Sequence, residues 1–284
     1  MNKELETLLL NEIKSKTQFN SLTDEFILSR LNAYILTNGD KRKQLEKEYE
    51  LKESKMHKSK KFKELVKAIR EELGILYGSY HTSQFSKKEK YLEENKDVET
   101  LITLHKSSHE RKEYYYQIYS KIFSWYQPTH GIADLACGLN PLSYREIENK
   151  ELKYFVSDLN PKDMEFLQEF FNQNKIKGKA IASDITTQQY LEEKEFKQCD
   201  LVFFFKALDS FETIKKNISK EILQNLPQKH LVVSFPTKSL GSRKEVKSEK
   251  RNWLRNFMKQ QEWNWEEFEV DNEMFFLINK KNDQ

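Results

Sequence analysis

Over the first 126 residues the apolar positions recur at helical spacing. Leu5, Leu8, Leu9 and Ile13 form one stripe, and Phe26, Ile27, Leu31, Tyr34 and Ile35 form a second. Both spacings predict amphipathic helices. Thr37-Asn-Gly-Asp40 reads as a turn. A heavily charged segment from Lys41 to Lys63 leads into Leu65, Val66, Ile69, Leu73 and Leu76, again at helical spacing. Gly74 and Gly78 punctuate the chain before Tyr80, Ser86 is a candidate cap for 87–91, and Asp97 precedes a further helix. From Gly131 the pattern changes. Short apolar runs at 131–136, 153–157, 179–182, 200–205, 230–235 and 274–278 alternate with amphipathic stretches, among them 161–174 and 214–226. That alternation predicts βαβ units around a mostly parallel sheet. The chain is therefore read as an α/β protein: an all-helical domain over 1–126 and a Rossmann-like domain over 127–284.

The segment Ile132-Ala-Asp-Leu-Ala-Cys-Gly-Leu-Asn-Pro-Leu142 carries the most chemistry. An apolar run ends at Asp134, and small residues with Gly138 then permit a tight turn that a ligand can approach closely. About 20 residues later a carboxylate suited to a ribose diol ends the second predicted strand, in Tyr154-Phe-Val-Ser-Asp158. The third predicted strand leads to Ser183-Asp184-Ile185, where an acceptor suits an adenine amino group, and the fourth ends at Phe205-Lys206. Ligands of open α/β sheets sit at the carboxyl ends of the strands, near the switch point. The spacing fits nucleotide-binding and S-adenosylmethionine-binding sheets alike, but a full G-x-G-x-x-G is missing, which weakens the dinucleotide reading. Each Asp could instead cap a helix. Asp134, Asp158 and Asp184 at successive strand ends favour the S-adenosylmethionine site.

Composition narrows the classes. There is no apolar run of transmembrane length and no charged-then-apolar leader at Met1, so a soluble, cytoplasmic chain is expected. Cys137 and Cys199 belong to no CxxC pair or His/Cys cluster, so reduced thiols are expected and a bound metal is not. The net charge of +3 is modest, and local runs matter more. Lys58-Ser-Lys-Lys-Phe-Lys63 and the basic stretch from Arg243 to Arg251 could track phosphates. Interleaved Glu residues make a solvated helix face the plain alternative. The aromatics of 114–119, and Trp253, Trp263 and Trp265, are read as packing.

Four segments carry a resemblance. They are His105-Lys-Ser-Ser-His-Glu-Arg111 with the aromatic stretch after it, Asp134-Leu-Ala-Cys-Gly-Leu-Asn-Pro-Leu142, Phe204-Phe-Lys206 with Leu208, and Val233-Ser-Phe-Pro-Thr-Lys-Ser-Leu-Gly241. Together they resemble the 16S rRNA (guanine-N7) methyltransferases of the aminoglycoside-resistance group. The resemblance implies an S-adenosylmethionine-dependent enzyme whose helical domain docks RNA; a monomer is the default expectation. Its target would be a guanine in the decoding centre (A-site) of the small ribosomal subunit, with aminoglycoside resistance as a consequence.

Position by position, it places Arg111 on the cofactor's carboxylate, with His105, Lys106 and Ser107 near the same end. Ala136 and Gly138 would line the methionine portion, Asp158 would hold the ribose, and Asp184 and Ile185 would frame the adenine. Phe205 would pack on the adenine face, with Ile214 and Tyr80 as further neighbours. Lys206, Lys238 and Ser239 would face the target nucleotide, and Lys60, Lys61, Lys63 and Arg243 the RNA backbone. Guanine N7 has a lone pair and no proton, so the reaction needs positioning rather than a general base. A paired guanine would first have to leave its stack.

The chain departs from the family pattern at three places: Asp209 stands where the family has Pro, Ser108 where it has Thr, and 242–251 replaces a Gly-rich stretch. These changes spare the cofactor site and bear on target choice. Methylation of another RNA site, or a non-catalytic ribosome-binding role, are the alternatives.

Overall fold

The computed structural model describes residues 2–38, 41–238 and 245–280, so Ser239 and Arg243 lie outside the described residues. The chain forms two compact units, Met1–Ser79 and Tyr80–Gln284. The first contains α1 (Lys3–Lys14), α2 (Asp24–Thr37), α3 (Lys41–Lys52) and α4 (Lys60–Leu76). Side chains of Asn2, Thr23 and Ser59 accept from the backbone N–H groups of Glu4, Phe26 and Phe62. Each satisfies a donor that the first helical turn leaves free. The apolar stripes then meet in a core that fully buries Leu5, Leu9, Ile13, Ile27, Leu31, Ile69 and Leu73. Helix α4 runs through Gly74 instead of stopping there, because its buried stripe from Phe62 to Leu73 holds it. Lys60, Lys61 and Lys63 project from its first turn as exposed residues.

The second unit opens with α5 (Lys88–Glu93), α6 (Val98–Ile102), α7 (Lys106–Arg111) and α8 (Tyr115–Trp125). Asp97 caps α6, its carboxylate accepting from Thr100 N at 2.7 Å. Ser86 does not cap α5, whose N-cap is Lys87. The rest follows as β1 (Gly131–Leu135), β2 (Lys153–Asp158), α9 (Pro161–Gln173), β3 (Gly178–Ala182), α10 (Lys194–Lys197), β4 (Leu201–Phe205), α11 (Leu208–Ile214), α12 (Ile218–Asn225), β5 (His230–Pro236), α13 (Asn252–Gln260), β6 (Asn264–Val270) and β7 (Glu273–Asn279).

These strands make one seven-stranded sheet in the order β3-β2-β1-β4-β5-β7-β6. Strands β1 to β5 are parallel, and β7 runs antiparallel between β5 and β6. Strand period 2 divides the apolar residues between two faces. Leu201, Phe203 and Phe205 of β4 join Tyr119, Ile122, Phe170 and Phe171 on one face. Val202 and Phe204 join Ile222, Leu223, Leu254 and Phe257 on the other. Helices thus cover both faces, and the switch point between β1 and β4 opens at the carboxyl ends of the strands.

Three expectations change. The unit boundary falls after Ser79 rather than at 126, because Tyr115, Ile118, Tyr119 and Ile122 of α8 bury themselves among sheet residues such as Ile132 and Phe203. The stretch 214–226 is not one helix, since α11 ends at Ile214 and the chain restarts α12 after Asn217, which is left-handed at φ 64°. Strand β6 was not expected. It is an edge strand, and its three glutamates give it a polar, part-exposed pattern.

The seam between α9 and β3 is tight. A Cβ on Gly178 would lie 2.4 Å from Cδ2 of Phe171, whose ring is fully buried. Gly178→Ala should therefore destabilise the protein by about 1–3 kcal/mol, read as a lowered thermal midpoint. An unchanged midpoint would show that this seam is looser than described.

Candidate active site

The turn after β1 is built from backbone that few sequences allow. Ala136 and Gly138 are left-handed, at φ 54° and 53°. A Cβ at Gly138 would stand 2.7 Å from two atoms of the His105 ring, so glycine is required there by packing as well as by φ. Cys137 N donates to Ser157 O, tying the turn to β2. Asp158, at the end of β2, accepts from Gly138 N and from Leu159 N, both at 2.7 Å, one on each carboxylate oxygen. Burial raises the Asp158 pKa and these two N–H groups oppose the rise. Each oxygen keeps a further lone pair. Burial pushes the Cys137 thiol well up, assisted by Asp134 and Asp158, so it is no nucleophile.

Beside this turn lies a buried charge cluster. Arg111, at the end of α7, gives Nε to Glu273 Oε2 at 2.8 Å and Nη2 to Oε1 at 3.0 Å. Its Nη1 reaches Asn140 Oδ1 at 3.4 Å, and the guanidinium lies 5.0 Å from the Phe205 ring centroid. Lys206 follows β4 in a left-handed conformation at φ 57°. Its Nζ sits 2.7 Å from Glu110 and 3.2 Å from Glu273. The Ser234 hydroxyl also donates to Glu273. Burial alone would raise the Glu273 pKa, but Arg111 and Lys206 outweigh it and hold the carboxyl below its ordinary value. Burial likewise opposes the charge on Arg111, and Glu273 more than restores it.

Asp134 faces inward rather than towards a ligand. Its Oδ2 accepts from Asn140 Nδ2 at 2.7 Å and from the Tyr154 hydroxyl at 3.0 Å. Burial, only partly offset by those bonds, pushes its pKa up to about 7.

A third group flanks the turn. The Tyr80 ring stacks on His105 at 5.8 Å, and the Tyr80 hydroxyl shares a hydrogen bond of 3.1 Å with Ser210 of α11. His105 is nine-tenths buried. Burial, then the charges of its neighbours, hold its pKa well below the ordinary value, so the ring is neutral. Neither His105 Nδ1 nor Ser107 Oγ has a hydrogen-bond partner among the described residues. Buried polar atoms are paired in folded proteins, so two orphans at one turn mark where a ligand's polar groups would fit.

Other expected residues are placed differently. Asp184 caps the short turn after β3, accepting from Thr186 N at 2.9 Å and from its hydroxyl at 2.6 Å. Ile185 is buried beside it, in the core of the face that also packs Ala136. Phe205 belongs to the opposite face, with Phe203 at 4.8 Å and Phe275 at 5.6 Å. It lies under Arg111 rather than with Asp184 and Ile185. Ile214 stands one helical turn beyond Ser210. Lys106 and Lys238 are exposed. Glu273 and Glu110 were missed. The signal for Glu273 is an acidic residue heading an apolar strand: β7 is antiparallel, so Glu273 pairs with Pro236 at the carboxyl ends of the parallel strands. Among the described residues no cluster of His, Cys, Asp and Glu could hold a metal, and no helix is long and apolar enough to cross a membrane.

Comparison with known proteins follows the same geometry. The family model described as ribosomal RNA methyltransferase (FmrO) matches residues 95–278. The 16S rRNA (guanine(1405)-N(7))-methyltransferase of Frankia casuarinae is 26% identical over 187 residues, covering 64% of each chain. The protein of the same name from Serratia marcescens is 28% identical over 231 residues, covering 79% of this chain and 86% of its own. The chain thus spans 64% of the length of the first curated relatives it matches. The crystal structure of 16S rRNA methyltransferase RmtF with S-adenosyl-L-homocysteine superposes with a TM-score of 0.77, covering 99% of this chain and all of the other, at 21% identity. That of the 16S rRNA methylase RmtB gives 0.71, covering 97% of this chain and 98% of the other, at 22% identity. These structures share the fold.

Two outcomes follow from the charges. Glu273→Gln leaves two buried cations short of a counter-charge and should lower stability by about 3–5 kcal/mol, measured by urea denaturation. A loss under 1 kcal/mol would make the pair no stronger than a surface one. Asp134 keeps its proton in the folded state up to about 7, against an ordinary 3.8. The folded state then binds more protons than the unfolded one between these values, so stability falls as pH rises through that window. Asp134→Asn should flatten that slope by roughly 4 kcal/mol across it; an unchanged slope would contradict the assignment.

Proposed function

We propose that this chain, which belongs to the ribosomal RNA methyltransferase (FmrO) family, methylates N7 of a guanine in the decoding centre of 16S rRNA. The methyl donor is S-adenosylmethionine, and the substrate is the small ribosomal subunit. The observation that carries the reading is the turn between β1 and Asn140. There Gly138, Asp158 and the His105 ring, whose Nδ1 lacks a partner among the described residues, come together at the switch point of the sheet. The names of the curated relatives support the target.

Bound S-adenosylmethionine supplies an electrophilic methyl group on a sulfonium sulfur. The chain's own residues then need only bind and align. Asp158 uses one lone pair of each oxygen on the backbone and keeps others for ribose hydroxyls. Arg111 has five donors, of which three go to Glu273 and Asn140. The Tyr115 hydroxyl also lies against the guanidinium, and the N–H left over is offered to a carboxylate. The Lys206 ammonium has three donors and spends two on Glu110 and Glu273, leaving one for an oxygen of the target nucleotide. Neutral His105 places a hydrogen-bonding ring nitrogen near the cofactor without adding a charge that would repel the sulfonium. With no proton to remove from N7, alignment of nucleophile, methyl and sulfur supplies the catalysis.

The N-terminal unit is assigned the RNA. Lys63 shares a surface cleft with Lys16, His57, Lys67 and Arg70 over a floor of Phe62 and Val66. Two of these charges have acidic neighbours in the same cleft, Lys67 near Glu71 at 3.8 Å and Arg70 near Glu12 at 3.5 Å. The net attraction is therefore a salt-sensitive phosphate field rather than a base-reading surface. The protein acts as a cytoplasmic monomer in this reading, and the modified ribosome resists aminoglycosides that bind the A-site.

Purified small subunits incubated with the protein and methyl-labelled S-adenosylmethionine should acquire label at N7 of one decoding-centre guanine. Label at another RNA position would keep the enzyme and discard the target; no label with intact cofactor binding would favour a non-catalytic ribosome-binding role. Asp158→Ala should weaken cofactor binding by about 30- to 100-fold, as loss of a hydrogen-bonded charge does, read by calorimetry. Affinity within twofold of the parent would remove Asp158 from the site. Replacing Lys60, Lys61 and Lys63 together with Gln should weaken subunit binding and flatten its salt dependence. An unchanged salt slope would move the RNA contact elsewhere.

A further inference from the structure

We propose that Asp209 and Arg251 form a positioning pair that fixes the end of β5, and with it Thr237 and Lys238, against the first turn of α11. The proposal rests on the reading that the Lys206 end of the sheet meets the target nucleotide. Arg251 precedes α13 and is almost wholly buried, at 5% exposure. Its Nη1 lies 2.7 Å from Asp209 Oδ1 in the first turn of α11. Its Nη2 donates to the carbonyl of Pro236, the last residue of β5, at 3.4 Å. The guanidinium sits 4.2 Å over the Phe235 ring. One buried cation therefore grips both the helix that follows Lys206 and the end of β5.

The described residues 237–238 and 245–246 are tied to one another and to the turn before β7. Lys238 and Glu245 pair as an antiparallel bridge, and Val246 N donates to Thr237 O at 2.7 Å. Thr237 N donates to Asn272 O at 2.9 Å, beside Glu273. Helix α11 also carries Ser210, which bonds the Tyr80 hydroxyl beside His105. A guanidinium this buried is tolerated only with a partner that offsets its desolvation, and Asp209 is the carboxylate it has. A change at Asp209 alone would leave the cation without its counter-charge.

The test compares Asp209→Asn with Asp209→Glu in the full chain. Asp209 is half exposed but its partner is buried, so Asp209→Asn should also cost stability; both variants are compared well below their thermal midpoints, with Asp209→Glu, which keeps the charge, as the control. Asp209→Asn should raise the KM for small subunits about five- to tenfold, the effect of weakening one charge-assisted hydrogen bond. Its kcat and its affinity for S-adenosylmethionine should stay within about twofold. Hydrogen exchange at the amides of Thr237 and Val246 should quicken, and Asp209→Glu should restore both KM and protection. Unchanged exchange and KM in Asp209→Asn would overturn the proposal, as would an equal loss of cofactor affinity. If the parent protein labels no RNA, the functional reading fails, and the exchange comparison still decides whether the pair fixes the end of β5.

Discussion

Glu273 is the constraint on which the site depends. A single buried carboxylate receives both the Arg111 guanidinium and the Lys206 ammonium, with the Ser234 hydroxyl completing its shell. Two cations at this depth would be intolerable without it, because desolvation of an unpaired charge exceeds anything local packing returns. The contact also fixes topology. It joins α7, the end of β4, β5 and β7, and it requires β7 to run antiparallel so that its first residue reaches the carboxyl ends of the parallel strands. This pairing fixes the orientation of Arg111 and of Lys206, and with it the direction of the donors they have left.

Much of the α/β unit was legible because buried parallel strands are short apolar runs. All five residues of β1 and of β4 are buried, and both stand out in the sequence. Strand β6 did not, since its alternation is confused by Glu266, Glu267 and Glu269 and only one of its edges is paired. The unit boundary was misplaced for a different reason. Helices on either side of Ser79 share the same charged, amphipathic composition, and only three-dimensional packing separates those that cover the sheet.

In the candidate site, legibility followed sequence distance. The turn around Gly138 and its bond to Asp158 arise from local backbone geometry, and the motif announced them. The partner of Arg111 lies 162 residues away, beyond any pattern. Asp134 and Asp184 show the other limit. As sequence both looked like ligand-facing acids; Asp134 serves a buried network with Asn140 and Tyr154, whereas Asp184 caps a turn with Oδ1 alone and keeps its other oxygen. An acidic residue at a strand end is ambiguous until its hydrogen bonds are known.

A crystal structure of the chain with S-adenosyl-L-homocysteine tests the central claim most directly. The account predicts the ligand's carboxylate on the outward N–H of Arg111, its ribose on Asp158, and the Arg111–Glu273–Lys206 cluster intact. A ligand bound away from the Gly138 turn, or one that binds only by breaking Arg111 from Glu273, would contradict it.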